Sequence, residues 1–308
     1  MIIDWHTHVH TPEDAAKPFW KGRCPMTIDN ALDAMDQAGI DMTVISNPLH
    51  ELRDMDRAGQ RKTVRGQNKF LAEQVAKQPK RFAALASTAP SGGDDFLKDL
   101  EEAVKDGLRG VIITASLQGA YPDDDSAKPF FKLVTDLDIP VFIHPPSVGF
   151  GEERMKEYRL ASSVGRPFDN CLALSRLIVR GIFEEFPSLK LVGSHVGGGI
   201  CEIIGRMDYA YELQEEAYFL GSYTPMRIKK KPSEYLKMMY LDSVSYHAPA
   251  ARCALETVGV DHFLFGTDAP PLTVLKPRGL KLIDELRLKP AEREKVLSGN
   301  AMRLLKLH

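Results

Sequence analysis

The chain has 308 residues, of which 44% are hydrophobic, and its formal net charge at neutral pH is −2. This charge excludes the basic field that attracts nucleic acid or anionic lipid, and the scattered charged residues argue against disorder. The barrel class is the one that routinely exceeds about 250 residues as one domain. We therefore expect residues 1–308 to form a single domain.

The cysteine spacing and the apolar pattern predict a cytoplasmic protein. The four cysteines lie far apart without a CxxC pair, at Cys24, Cys171, Cys201 and Cys253. This spacing favours reduced thiols over a disulfide framework. The first residues, MIIDWHTHVH, lack the basic segment of a signal peptide. No apolar run approaches the roughly 20 residues of a membrane span.

Short β-rich runs alternate with helical patterns along the chain. Residues 2–5 are the first predicted strand, and the helix at 27–39 begins at a Thr or Asp cap and ends at Gly39. The later predicted strands are 42–46, 82–87, 110–114, 140–143, 189–193, 238–241 and 262–265. The predicted helices are 64–77, 94–106, 127–137, 170–185, 199–216 and 249–257, with others from Lys276, Pro290 and Gly299.

This alternation predicts a closed (β/α)₈ TIM barrel. Strands that alternate with helices form parallel βαβ units, and eight parallel strands close a barrel. An open doubly wound sheet is the structural alternative, but no G-x-G-x-x-G follows the first strand. Most of the long loops follow the carboxyl ends of strands, where barrel enzymes build their active sites.

Five residues of ligand type end the predicted strands. His6 and His8 follow strand one, and His144, His195 and Asp268 follow strands five, six and eight. Residues two apart in an extended chain point to the same side, and the carboxyl ends of barrel strands converge at one mouth. Imidazole and carboxylate are ligands of zinc, with iron or manganese possible. A lone strand-end histidine is more often a hydrogen-bonded loop residue, but five together indicate a catalytic metal site.

The chain resembles the amidohydrolase superfamily, and within it the amidohydrolase-2 group that includes aminocarboxymuconate-semialdehyde decarboxylase. The resemblance rests on IDWHTH, PKRFAALAS, VFIHP, RGIFEEFPSLKLVGSHVGGG, FGTDAP and SGNAMRLL. It implies that His195 is the catalytic histidine. It also implies that the metal ligands are His6, His8, His144 and Asp268.

The resemblance bears on metal number and assembly as well. Binuclear members of the superfamily bridge two metals with a modified Lys or a Glu at the end of strand four. Here that strand ends in Thr114, so we predict one divalent ion per chain, with zinc as the first choice. The resemblance further implies a homodimer or a larger oligomer built from dimers. The apolar residues predicted to support the contact are Tyr218, Phe219, Leu220 and Tyr223.

Two reactions fit this predicted site. The first is non-oxidative decarboxylation of a small unsaturated or aromatic carboxylic acid, with His195 as general acid–base and Asp268 as a ligand that could accept a proton. The second is hydrolysis or hydration of a lactone, ester or amide with the same residues. A non-catalytic barrel is a third hypothesis, and the intact ligand set argues against it. The predicted substrate-binding residues are His247, Arg166 and Trp5, of which Trp5 should pack under the metal site.

Overall fold

The structure is a computed structural model, in which residues 1–18, 27–146, 149–213, 224–269 and 275–307 are described. The strand segments in these ranges are β1 Ile3–His8, β2 Met42–Ser46, β3 Phe82–Ala84, β4 Ala86–Ser87, β5 Val111–Thr114, β6 Val141–His144, β7 Leu191–Gly193, β8 Tyr240–Asp242 and β9 Phe263–Leu264. The α-helices are α1 Pro12–Ala15, α2 Ile28–Ala38, α3 Arg57–Lys77, α4 Asp94–Lys105, α5 Lys128–Asp136, α6 Arg166–Arg180, α7 Ile182–Glu185, α8 Ile200–Glu212, α9 Pro232–Leu236, α10 Ala248–Val258, α11 Leu275–Glu285, α12 Pro290–Glu294 and α13 Asn300–Leu305.

The strands close into a barrel of eight positions. β3 and β4 share one position and are interrupted at Leu85, whose N–H donates to the carbonyl of Ile45 at 3.1 Å. All ladders are parallel, in the orders β1-β2-β3 and β4 to β9. β1 then meets the segment after β9, because the Trp5 N–H donates to Phe265 at 2.9 Å and the Asp268 N–H donates to His6 at 2.8 Å. The predicted TIM barrel is therefore confirmed.

Local capping explains both ends of α2. The predicted helix at 27–39 is observed as α2, where the Thr27 side chain accepts from the Asn30 N–H at 3.2 Å and Gly39 ends the helix with φ of 66°. The predicted helix at 170–185 is wrong in extent. α6 begins at Arg166 and stops before Gly181, whose φ is 83° and whose added Cβ would lie 2.2 Å from the Arg227 carbonyl oxygen.

Alternation along the strands separates two hydrophobic clusters. Val141 and Ile143 of β6 pack outward against the helices, whereas Phe142 between them lies in a cluster inside the barrel. The C-terminal helix α13 contributes Leu304 and Leu305 to this inner cluster. The helix thereby closes the amino end of the barrel, and His144, the next inward residue after Phe142, lies toward the opposite mouth.

A β-bulge in β1 changes which side chains face inward. Asp4 pairs with Thr43 and Thr7 pairs with Ile45, so β1 carries one extra residue at this point. Trp5 belongs to the inner cluster, and the ring centroid of His6 lies 5.0 Å from that of Phe142 inside the barrel. Within the described ranges, no helix combines the length and apolar character needed to cross a membrane.

Candidate metal centre

Four side chains point their donor atoms at one another at the carboxyl end of the barrel. The Nε2 atom of His8 lies 3.0 Å from His6 Nε2 and 3.1 Å from His144 Nε2. Asp268 Oδ1 lies 3.2 Å from both His6 Nε2 and His8 Nε2 and 4.0 Å from His144 Nε2. Such spacings suit ligand atoms that surround one ion at the usual 2.0–2.2 Å.

The opposite ring nitrogens are engaged by acceptors. His6 Nδ1 lies 2.6 Å from Asp242 Oδ2, and His144 Nδ1 donates to the carbonyl of Pro145 at 2.9 Å. An imidazole that keeps its proton on Nδ1 presents a bare lone pair at Nε2. The lone pairs of His6 and His144 therefore face the centre, where they repel each other unless a cation lies between them.

His195 occupies a different position from the three other histidines. One of its ring nitrogens forms a group with ring nitrogens of His6 and His144 and a carboxylate oxygen of Asp268, and these atoms lie within 4.8 Å of one another. The shorter contacts nevertheless join His8 to the other donors, and we therefore assign His8 to the centre. His6 and His144 are fully buried, whereas His195 is half-buried and lines the adjoining cavity.

The electrostatics of the centre favour positive charge at His6. Burial lowers the pKa of His6, but the carboxylates of Asp242 and Asp268 outweigh it and raise the pKa to about 10. Burial, assisted by the positive charges of neighbouring histidines, holds the pKa of His144 well below its usual value. Burial raises the pKa of Asp268, but His6, His8 and His195 bring it well below its ordinary value. Metal binding requires an ionised carboxylate and neutral imidazoles, so the ion would take the place of the proton that His6 carries without it.

Asp242 connects the metal centre to the His195 turn. One oxygen, Oδ2, contacts His6 Nδ1, while Oδ1 accepts from the N–H groups of His195 at 2.7 Å and Val244 at 3.1 Å. The structure shows both interactions in one fully buried carboxylate.

The turn that carries His195 is left-handed throughout. Five consecutive residues, 195–199, have positive φ, and they include the non-glycine residues His195 at 52° and Val196 at 50°. A β-branched residue at such a φ is a genuine outlier. Gly198 allows close packing, because an added Cβ would lie 2.0 Å from the Pro167 carbonyl oxygen. The absence of a side chain at Gly198 therefore lets this turn pack closely on the backbone of α6.

A cavity of about 600 Å³ adjoins the centre. His195 and Asp268 line it together with two of the predicted substrate-binding residues, Arg166 and His247. Burial lowers the pKa of His195 to about 4, so its imidazole is neutral at neutral pH. Trp5 is fully buried below the centre and lies edge-on to Phe142 with ring centroids 5.9 Å apart. This placement corrects the assignment of Trp5 as a substrate contact and gives it the predicted packing role.

The sequence reasoning missed a buried carboxylate behind the predicted ligands. Asp4 accepts from the His6 N–H at 3.0 Å, from Thr267 Oγ1 at 2.6 Å and from the ammonium group of Lys276 at 2.7 Å. Asp4 and Lys276 are both fully buried. The acidic residue within an apolar strand was the available signal. Nothing in the sequence around Lys276 marked its distant partner.

Comparisons with known proteins identify relatives along the whole barrel. The family model described as amidohydrolase matches residues 3–307. A 2-amino-3-carboxymuconate-6-semialdehyde decarboxylase of Dictyostelium discoideum is 30% identical over 78% of this chain and 65% of that protein, so the chain spans just under two thirds of this relative. A gamma-resorcylate decarboxylase of Polaromonas sp. is 27% identical over 91% of this chain and 87% of that protein. The resemblance predicted from the motifs is confirmed.

Solved structures show the same fold. The 5-carboxyvanillate decarboxylase of Sphingomonas paucimobilis superposes with a TM-score of 0.87 at 23% identity and covers 100% of this chain and 99% of that chain. A dihydroxybenzoic acid decarboxylase of Polaromonas sp. JS666, solved with bound manganese and the inhibitor 2-nitroresorcinol, superposes with a TM-score of 0.83 at 24% identity. This second superposition covers 99% of this chain and 97% of the Polaromonas chain.

Proposed function

Because the chain belongs to the amidohydrolase family, we propose that it is a metal-dependent decarboxylase of a small unsaturated or aromatic carboxylic acid. The observation that carries the proposal is the convergence of three imidazole nitrogens and the Asp268 carboxylate beside a cavity lined by His195. The relatives named as decarboxylases support this chemistry.

The donor set fits one divalent ion held by His6, His8, His144 and Asp268. Three neutral nitrogens and one anionic oxygen form the type of set that zinc or manganese accepts. Zinc is our first choice, and the manganese bound in the Polaromonas decarboxylase makes manganese the second. β5 ends at Thr114, and the described residues contain one candidate metal-binding group, which supports a single ion per chain.

His195 is the proposed proton carrier. When bound, the ion would act as a Lewis acid that stabilises negative charge on the substrate oxygens. His195 lines the cavity and is neutral at neutral pH, so it can accept a proton and deliver it to the carbon that bears the carboxylate. A C–H bond then forms, the C–C bond breaks and CO₂ leaves. Asp268, with 23% of its side chain exposed, reaches the same cavity and is the second candidate to hold the proton.

We also propose a cytoplasmic homodimer. The described cysteines, Cys171, Cys201 and Cys253, are free thiols, which supports a reducing compartment. The segment predicted to support the subunit contact, with Tyr218, Phe219, Leu220 and Tyr223, lies outside the described residues. Sedimentation at micromolar concentration tests the dimer, and a clean monomer would refute it.

The decisive experiment is a substrate screen on metal-replete protein. Unsaturated and aromatic carboxylic acids are incubated with the enzyme, and released CO₂ is measured directly. Lactones, esters and amides are assayed in parallel for ring opening or hydrolysis, and unsaturated acids for hydration. CO₂ release that depends on added metal supports the proposal. Hydrolysis or hydration without CO₂ release would replace it with the hydrolase or hydratase alternative.

A further inference from the structure

A cationic side chain, Arg166, lines the cavity beside the metal centre. Arg166 begins α6, and within the described residues it forms no ion pair and its buried Nε atom has no hydrogen-bond partner. It lines the cavity together with His195 and Asp268, and its charge adds to burial, the main cause that lowers the pKa of His195. An arginine so close to the centre is available to an anionic ligand in the cavity.

His50 gives a second indication that a polar ligand binds beside the metal centre. The His50 ring lies 5.7 Å from the His144 ring, and its buried Nδ1 also lacks a partner within the described ranges. Burial and then the charge of Arg166 are the two largest influences that hold the pKa of His50 well below its usual value. Buried nitrogens without partners are rare in folded proteins, and two such nitrogens near one metal centre indicate a polar ligand.

The fold fixes the backbone of Arg166 against the turn that carries His195. A π-helical turn, Ala161–Gly165, leads directly into Arg166, and such turns occur frequently at functional sites. The next residue, Pro167, packs against Gly198 of the turn that carries His195. Arg166 and His195 therefore line the same cavity from two segments that are packed together.

The chemistry of decarboxylation indicates which substrate group the arginine holds. Loss of CO₂ converts a carboxylate into a neutral molecule, so pairing with that carboxylate would stabilise the substrate more than the transition state. Pairing with a group that keeps its charge has no such cost. We propose that Arg166 binds a second, retained carboxylate, so that the substrates are unsaturated or aromatic dicarboxylic acids. This inference rests on the proposed decarboxylase function.

The test compares acids that differ by one carboxylate. Isophthalate with benzoate, and cis,cis-muconate with sorbate, are titrated into zinc-loaded protein by calorimetry. In the wild type, at least one dicarboxylate should bind about tenfold to hundredfold more tightly than its partner. Arg166→Met should remove that preference and leave the monocarboxylate affinity unchanged. Arg166→Lys, which keeps the charge but not the planar fork, should retain part of it.

A matched control and a separate activity measurement make the outcome decisive. Arg154 lies on the same loop, is 86% exposed and contacts only Glu153 among the ion pairs of the described residues. Arg154→Met should behave as the wild type. The inference is wrong if the wild type shows no preference, or if the preference survives in Arg166→Met. If Arg166→Met fails to fold, an undiminished preference in Arg166→Lys overturns it. CO₂ release from the same samples tests the decarboxylase proposal independently, because binding is measured without turnover.

Discussion

A neutral histidine binds a metal through one ring nitrogen while the other ring nitrogen carries the proton. In this chain Asp242 contacts His6 Nδ1 with one oxygen and accepts from the His195 N–H with the other. It therefore sets both the tautomer of His6, a proposed ligand, and the position of His195, the proposed catalyst. Partners of this kind, although they do not touch the ion, are as specific as the ligands themselves.

Asp242→Asn should weaken metal binding. If the new amide oxygen still accepts from the backbone N–H groups of His195 and Val244, the amide NH₂ faces His6 Nδ1. That ring nitrogen must then act as an acceptor, so its proton must move to Nε2. We expect a loss of about 10–100-fold in metal affinity, measured by competition with a chelator. Asp99→Asn is the control, because Asp99 is a buried carboxylate paired with Arg61 instead of a ligand. Equal affinities for Asp242→Asn and the wild type would contradict the assignment.

His195→Asn separates catalysis from metal binding. Asparagine tolerates positive φ better than most residues, so the turn at φ of 52° should persist. Metal content should remain near that of the wild type, while the decarboxylation rate falls about 10²–10⁴-fold. His144→Ala and Asp268→Asn should each lose metal and activity together, as elemental analysis and a CO₂ assay can show. Loss of metal from His195→Asn would mean that His195 is itself a ligand.

The site residues differ in how far the sequence could predict them. Strand-end positions gave His6, His8, His144, His195 and Asp268, because alternation within a strand and parallel order between strands fix where such residues meet. Trp5 was misassigned, because a bulge that is not encoded by any local signal decides which neighbours in β1 face inward. The connections of Asp4 and Asp242 join residues more than 230 positions apart, and a single sequence carries no signal for such pairs.

At the scale of elements, the left-handed turn at 195–199 joins β7 to α8 and braces α6. Its glycines relieve strain at three positions, but His195 and Val196 retain it. Strain of this kind persists only where the surroundings hold it, and it clusters at functional sites. The contact of Gly198 with Pro167 provides one such support.

Gly198→Ala tests that contact against a matched control. Gly198 and Gly39 have almost the same φ, 67° and 66°, but an added Cβ at Gly39 meets no atom within 4 Å. Gly39→Ala should cost about 1–2 kcal/mol of unfolding free energy from backbone strain alone. Gly198→Ala should cost about 2–5 kcal/mol, because overpacking adds to the strain. Chemical denaturation measures both losses. Equal losses would show that the backbone near Pro167 moves aside without lowering the free energy of unfolding further.

The ends of helices and strands that depend on local residues could be predicted from the sequence. The ends that depend on tertiary contacts could not. Thr27 and Gly39 mark the ends of α2 in the sequence itself. The break at Gly181 depends on the approach of Arg227, which lies 46 residues further along the chain. The split of the strand at 82–87 likewise arises because Leu85 pairs with β2 while Ala86 pairs with the β5 side.

At the scale of the whole molecule, the proposed ion links strands from across the barrel. Ligands come from β1, from β6 and from the segment after β9, so metal binding requires the closed fold. Because an ion that binds only the folded state stabilises that state, chelation should lower the melting temperature. At a free metal concentration 100 times the Kd, the expected stabilisation is about 2.7 kcal/mol. Scanning calorimetry with and without chelator measures it, and His144→Ala should show no response to chelator.

The seam between β1 and the segment after β9 also determines when the enzyme can become active during its synthesis. Asp4 and Thr267, which bond across this seam, are 263 residues apart in the chain. At elongation rates of about 5–20 residues per second, roughly 13–53 s separate their emergence from the ribosome. Until then His6 and His8 belong to a nascent chain that lacks Asp268. The proposed metal site is therefore a late product of translation, and metal loading follows the synthesis of nearly the entire barrel.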